Sequence, residues 1–167
     1  MIKSLKDGKW LLSDVIDNYL NLLTKSESHI YYISTPSFLS CLNGSVYNPQ
    51  HFIGKISKIL VPAHINGNHW AMIVVDADEK TITMLDSMNH GIKKDPTKIK
   101  ILEQTRNIVR VCYNHDDWDI KEDLSVPQQS NANDCGVFAL VFASYKIQGR
   151  ITEMIKPQTD LVLLLTI

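Results

Sequence analysis

No C-x-x-C pair occurs in this 167-residue chain, whose three cysteines stand apart at Cys41, Cys112 and Cys135. An odd number of separated cysteines argues against a disulfide framework and a zinc ribbon, and favours a reducing compartment. Blocks of one charge are missing as well. With 17 Lys and Arg against 18 Asp and Glu, the formal net charge is −1, which gives no reason to expect a nucleic-acid partner or a charged tail. Residues 1–9 lack the apolar core of a signal peptide, and the longest late apolar run, residues 161–165, is far too short for a bilayer. No repeat, low-complexity stretch or Pro/Gly/Ser-rich linker divides the chain. These absences predict a single domain over residues 1–167, monomeric and without membrane association. They place it in the cytoplasm or nucleus, or have it delivered into a host cell. What is present, 44% hydrophobic and 21% charged residues, suits a globular protein with a sizeable core.

The apolar spacing predicts mixed elements. Ser13 reads as the cap of a helix with Val15, Ile16, Tyr19, Leu20 and Leu23 on one side. Thr35-Pro36 reads as a second helix start, running through Phe38 and Leu42. Residues 56–62 form a strand closed by Pro62. The nearly unbroken apolar run at 69–75 suits a strand buried on both faces, and 81–86 returns beside it after a polar turn. A helix follows at 97–110 with Ile99, Leu102, Ile108 and Val109 inward, then a short strand within 118–126. From Cys135 to about Gln148 the chain is apolar on most of a helical circumference, which makes this helix central to the core. Gly149 ends it, and residues 160–166 read as a last short helix. The class is α+β, with a small sheet packed against helices.

Four side chains stand at spacings that suit acyl transfer through a thiol. His69 opens one strand of the hairpin and Asp86 closes the other. A two-residue loop sets His69 opposite Asp86, and a four-residue loop at 77–80 sets Asp86 opposite Ala71. Either register leaves both on one face, roughly 5 to 8 Å apart at Cβ, so the carboxylate can hold the imidazole. Asp134 reads as an N-cap, which puts Cys135 in the first helical turn, where the dipole and a neighbouring imidazolium favour a thiolate. Gly136 removes a side chain beside it and lets a substrate carbonyl approach the backbone. Gln129, six residues before the cysteine, can offer an N–H to an oxyanion, a contribution of about 3 kcal/mol for donors of this kind.

Each residue has a plainer role by itself. A cysteine in an apolar helix is usually core, and an aspartate after a strand is often a turn residue. His29, His51, His64, His90 and His115 are other bases should the hairpin fail. Thiol, imidazole and carboxylate also ligate zinc, but no two of these candidates sit at ligand-pair spacing around Cys135, so no metal is expected.

Taken together the segments resemble the ubiquitin-like-protein-specific cysteine proteases, the SUMO (sentrin) protease family with its deneddylase, bacterial-effector and viral relatives. Trp10 to Ile16 resembles the family's W-L-x-D-x-x-I, His69-Trp70-Ala71 its H-W-x, and Leu85-Asp86-Ser87 its x-D-S. Residues 127–136 resemble its P-x-Q-x5-C-G, and the His-to-Asp interval of 17 also matches. The resemblance runs over residues 10–165.

That resemblance implies a papain-like core with the nucleophile at the N-terminus of a central helix. It implies Cys135 as nucleophile, His69 as base, Asp86 as orienter and Gln129 as oxyanion donor, with no cofactor. Trp70, with Trp10 beside it, would cover a narrow channel for the Gly-Gly tail of a ubiquitin-like protein (SUMO, Nedd8 or ubiquitin type). The site would then cut a precursor peptide bond or an isopeptide bond. Two departures bear on the partner. Ser13 stands where the family has an aspartate that often touches the ubiquitin-like protein, with Asp14 one residue later, and the chain is shorter than the family's after Cys135. Three alternatives stand beside this reading: an acetyltransferase using the same Cys and His, a viral-type maturation protease, and a binding module without activity.

Overall fold

The computed structural model describes residues 8–49, 55–88, 91 and 94–148. Its elements run α1 (Ser13–Thr24), β1 (Ile30–Tyr32), α2 (Thr35–Leu42), β2 (Lys58–Ile65), β3 (His69–Asp76), β4 (Thr81–Leu85), α3 (Pro96–Tyr113), β5 (Asp119–Glu122) and α4 (Cys135–Gln148). The strands form one sheet in the order β1-β2-β3-β4-β5, antiparallel at its centre and parallel at both edges. The predicted helix at 160–166, the stop at Gly149, His51 and His90 lie outside the described residues.

The central ribbon takes the four-residue register. Asp76 Oδ1 accepts the N–H groups of Asp78 and Glu79, both at 3.1 Å, and Lys80 adopts left-handed backbone at φ 54°. Asp76 then pairs with Thr81 and Met72 with Leu85, which carries Asp86 to the position across from Ala71. Alternate residues of β3 serve opposite layers, as the pleat requires. Trp70, Met72 and Val74 face the core shared with α1 and α4, whereas Ala71, Ile73 and Val75 face the core shared with α2 and α3. Both faces of β3 are covered, which is why its sequence reads as an unbroken apolar run.

α4 is buried without a break from Cys135 to Ser144, between β3 and α1. Phe138 and Phe142 meet edge to face with centroids 5.9 Å apart. Phe142 is fully buried, so truncation to alanine would cost about 3–5 kcal/mol.

Three local expectations are corrected. The cap position of α1 is Leu12, whose carbonyl accepts the N–H groups of Val15 and Ile16, and Ser13 is the first helical residue. Pro62 lies inside β2 rather than closing it. β1 pairs with β2 only up to Leu60, so beyond that point one edge of β2 has no β1 backbone to bond and a proline is tolerated. Ile99 is 44% exposed; the inward stripe of α3 is Lys98, Ile101, Leu102, Thr105, Ile108 and Val109.

Candidate active site

A three-residue turn, Asn66-Gly67-Asn68, brings β2 back as β3. Asn66 and Gly67 both take positive φ (51° and 75°), and His69 becomes the first residue of the returning strand. Its Nε2 lies 2.6 Å from Asp86 Oδ1, which also accepts the Met88 N–H at 2.8 Å. The pair is therefore diagonal across the ribbon. Asp86 is fully buried and the His69 side chain keeps only 14% exposure.

With Nε2 given to Asp86, the buried Nδ1 is left for Cys135, which interacts with the ring. Burial pushes the His69 imidazolium down, but hydrogen bonds and charge from Asp86 and Cys135 outweigh it and raise its pKa to about 9. Burial also pushes the Cys135 thiol up. The His69 ring, the backbone N–H groups of Trp70 and Gly136 and the imidazolium charge outweigh that, and the thiol falls below its ordinary value. Asp86 shows the same contest. Burial raises it, while hydrogen bonds from His69, Lys98 and the Met88 N–H bring it down to about 2. The arrangement favours a thiolate–imidazolium pair held by a carboxylate.

Cys135 begins α4, as its sequence position implies, and is almost fully buried. The Asp134 carbonyl accepts the Phe138 N–H at 2.9 Å, while its carboxylate takes the Asn131 side-chain amide at 2.7 Å. Gln129 sits on the loop before it. Its Oε1 accepts the Ser87 hydroxyl at 2.6 Å and its Nε2 donates to the Asn131 carbonyl at 2.6 Å. A primary amide has two N–H groups, so one remains for an oxyanion. Next to it, Gln128 Nε2 donates to the Asp86 carbonyl at 3.0 Å and ties the loop to the end of β4.

The two tryptophans also converge. Trp70 is buried and donates from its indole to the Leu11 carbonyl at 3.0 Å. Trp10 is half exposed and donates to the Ala132 carbonyl at 2.8 Å, which fastens the N-terminal segment to the loop before Cys135. Both line a cleft of about 240 Å³ together with Leu11, Leu12, Ser13 and His64. The His64 ring stacks on Trp70 at 4.3 Å between centroids. A second cleft of about 400 Å³ includes His69, Met88, Lys94, Lys98, Trp10 and Ala132. A larger cavity of about 640 Å³ along Tyr31, Ser37 and Tyr47 contains none of the candidate side chains.

Asp14 is exposed on the first turn of α1 and lines neither cleft. Gly136 has a structural reason besides the one its sequence position suggested. A Cβ there would stand 2.9 Å from Leu11 Cβ, so the missing side chain also serves the packing of the N-terminal segment onto α4. Sequence reasoning also missed Lys98. The signal was present: a lysine on the inward stripe of α3 has to find a buried partner.

The family model described as Ulp1 protease family, C-terminal catalytic domain, matches residues 9–162. Among curated proteins the chain is 26% identical over 164 residues to a sentrin-specific protease of Caenorhabditis elegans, covering 89% of this chain and 23% of that protein. It is 25% identical over 153 residues to ubiquitin-like-specific protease 1 of Saccharomyces cerevisiae, covering 86% of this chain and 24% of that protein. The chain thus spans about a quarter of the length of these two relatives. Among solved structures, the yeast C-terminal Ulp1 protease domain in complex with Smt3, the yeast ortholog of SUMO, superposes with a TM-score of 0.78 at 24% identity. That match covers 88% of this chain and 70% of the other. The SUMO protease Ulp1 with its catalytic cysteine oxidized to a sulfenic acid gives 0.78 at 25% identity, with the same coverage.

Proposed function

The chain belongs to the Ulp1 protease family, and on that premise we propose that it is a cysteine protease acting on the C-terminal Gly-Gly tail of a ubiquitin-like protein. The observation that carries this reading is the buried Cys135 facing a His69–Asp86 pair bonded at 2.6 Å. In this reading residues 1–167 act as one catalytic domain in a reducing compartment, the cytoplasm or the nucleus.

The Cys135 thiolate attacks the carbonyl carbon of the terminal glycine. The tetrahedral oxyanion is received by the Cys135 backbone N–H and the free N–H of Gln129, worth about 3 kcal/mol per donor. His69 gives its proton to the leaving amine and the C–N bond breaks, leaving a thioester. The neutral imidazole then takes a proton from water as that water attacks the thioester, which frees the carboxylate and restores the thiolate–imidazolium pair. Asp86 holds the ring so that Nδ1 faces the sulfur throughout. The cleft between Trp10 and Trp70 is the proposed tail channel, its aromatic walls suited to residues without side chains. Ser13 is one of its lining residues, and Asp14 on the adjacent exposed turn is a proposed contact for the body of the partner.

A panel of SUMO, Nedd8 and ubiquitin probes carrying a C-terminal electrophile tests the proposal. Labelling by one probe, lost in Cys135→Ala, is the expected result and names the substrate. No labelling by any probe, with Cys135 also inert to small alkylating agents, would remove the reading.

A further inference from the structure

Asp86 uses its two carboxylate oxygens differently. Oδ1 takes His69 Nε2 and the Met88 N–H, whereas Oδ2 is given to the Lys98 ammonium, 2.5 Å away. Lys98 is 4% exposed and Asp86 fully buried, so water does not screen the contact. A lysine is rarely buried unless its charge is matched, and here the match is the carboxylate that holds the candidate base. The helix that carries it is fastened to the same corner. Asp95 caps α3 by accepting the Thr97 N–H at 2.9 Å, and the Thr97 hydroxyl donates to Asn66 Oδ1 at 2.7 Å, in the turn that leads into His69.

We propose that Lys98 is a positioning residue of the site. Its ammonium holds Asp86 as a charge-balanced acceptor and sets the pH range over which His69 and Cys135 act. The inference rests on the protease reading and adds a fourth charge to it. Lys98, Asp86, His69 and Cys135 form an alternating row, positive, negative, positive and negative, reaching from α3 through the ribbon to α4. Among the described residues, the other groups that face the row are His64 from β2, on which the His69 charge acts, and Lys94 and Asp95 in the cleft that His69 lines. Of all these, only Lys98 touches the carboxylate with a full positive charge besides His69 itself.

The sign of the effect follows directly. Loss of one buried positive charge makes every proton in the row harder to remove. Thiolate formation at Cys135 and proton loss from His69 should both move to higher pH, by about one unit for a charge at this range. His69 then also becomes a weaker acid toward the leaving amine.

The test is the pH dependence of iodoacetamide alkylation of Cys135 in the 167-residue chain. The wild type should show two steps, one for the ion pair and one for deprotonation of His69. Lys98→Gln and Lys98→Met, folded by near-ultraviolet circular dichroism, should move both steps up together, and Lys98→Arg should leave them in place. Folded neutral variants whose steps stay where the wild type has them, or which change only in amplitude, would overturn the inference. So would failure of both neutral variants to fold, which would make Lys98 a folding requirement only. A wild type with one ordinary thiol step would instead remove the protease reading, so the two failures are separable.

Discussion

The Ser87 hydroxyl donates to Gln129 Oε1 at 2.6 Å, and the Gln129 N–H donates back to the Ser87 carbonyl at 2.9 Å. This double contact links the residue after Asp86 to the loop before Cys135. The Asn131 carbonyl can only accept, so it fixes Nε2 on its own side and leaves Oε1 for the Ser87 hydroxyl. Gln129→Ala is expected to lower kcat about 10²–10³-fold with little change in KM. Ser87→Ala, which frees the amide to turn but keeps it, should cost less. Steady-state kinetics on a probe substrate checks both; a change confined to KM would assign Gln129 to binding instead.

The titration directions predict the shape of the pH–activity profile. The Cys135 thiol is lowered, so kcat/KM rises as the thiolate forms below pH 9.0, the thiol's ordinary value. His69 is raised to about 9, so the proton needed by the leaving amine is lost as pH passes that value. A bell with its basic limb near 9 is expected, and His69→Ala should abolish it. A basic limb near 6.5, the ordinary histidine value, would contradict the ion pair.

The same shifts act on folding, with opposite signs at the two ends of the pH scale. His69 is raised, so its contribution is complete below about 6.5 and disappears as pH rises through about 9. Asp86 is lowered, so its contribution is complete above 3.8 and disappears as pH falls through about 2. The lowered Cys135 thiol acts against His69 at the basic end, because its contribution grows as pH rises toward 9.0, so thermal unfolding should show its clear Tm decline at the acid end. In Asp86→Asn the acid decline should be shallower.

Trp10 is fastened by one bond to Ala132, in the loop just before Cys135. Because it is half exposed, Trp10→Ala should change Tm little while making the buried Cys135 more reactive to small alkylating agents. KM for a Gly-Gly-ended substrate should rise in the same variant. Unchanged alkylation with unchanged KM would show that Trp10 neither covers the thiol nor binds the tail.

Gly136→Ala places a methyl group 2.9 Å from Leu11 Cβ and 3.2 Å from its Cγ and Cδ1. Overpacking of this kind costs about 1–3 kcal/mol, measurable by urea unfolding. Adding Leu11→Ala removes the two outer contacts but keeps the Cβ, so it should recover part of the loss and not all. A Gly136→Ala protein as stable as wild type but inactive would leave Gly136 to substrate clearance alone.

Much of this was legible along the chain because it depends on local periodicity. The strands at 69–75 and 81–86 alternate with period two, so His69 and Asp86 share a face in either register, and α4 begins where its apolar run begins. The choice between registers also had a local cause, the Asp76 carboxylate closing the turn on Asp78 and Glu79. The rest needed the folded chain. Asp86 Oδ2 meets Lys98 only because α3 docks on the sheet; Gly136 is small because Leu11 crosses α4; Gln129 is aimed by a serine 42 residues away. Periodicity says which side of an element a residue takes, and burial then requires each buried charge and each close backbone approach to be matched. It does not say by which residue: that partner is chosen where distant segments pack, which the tertiary structure alone decides.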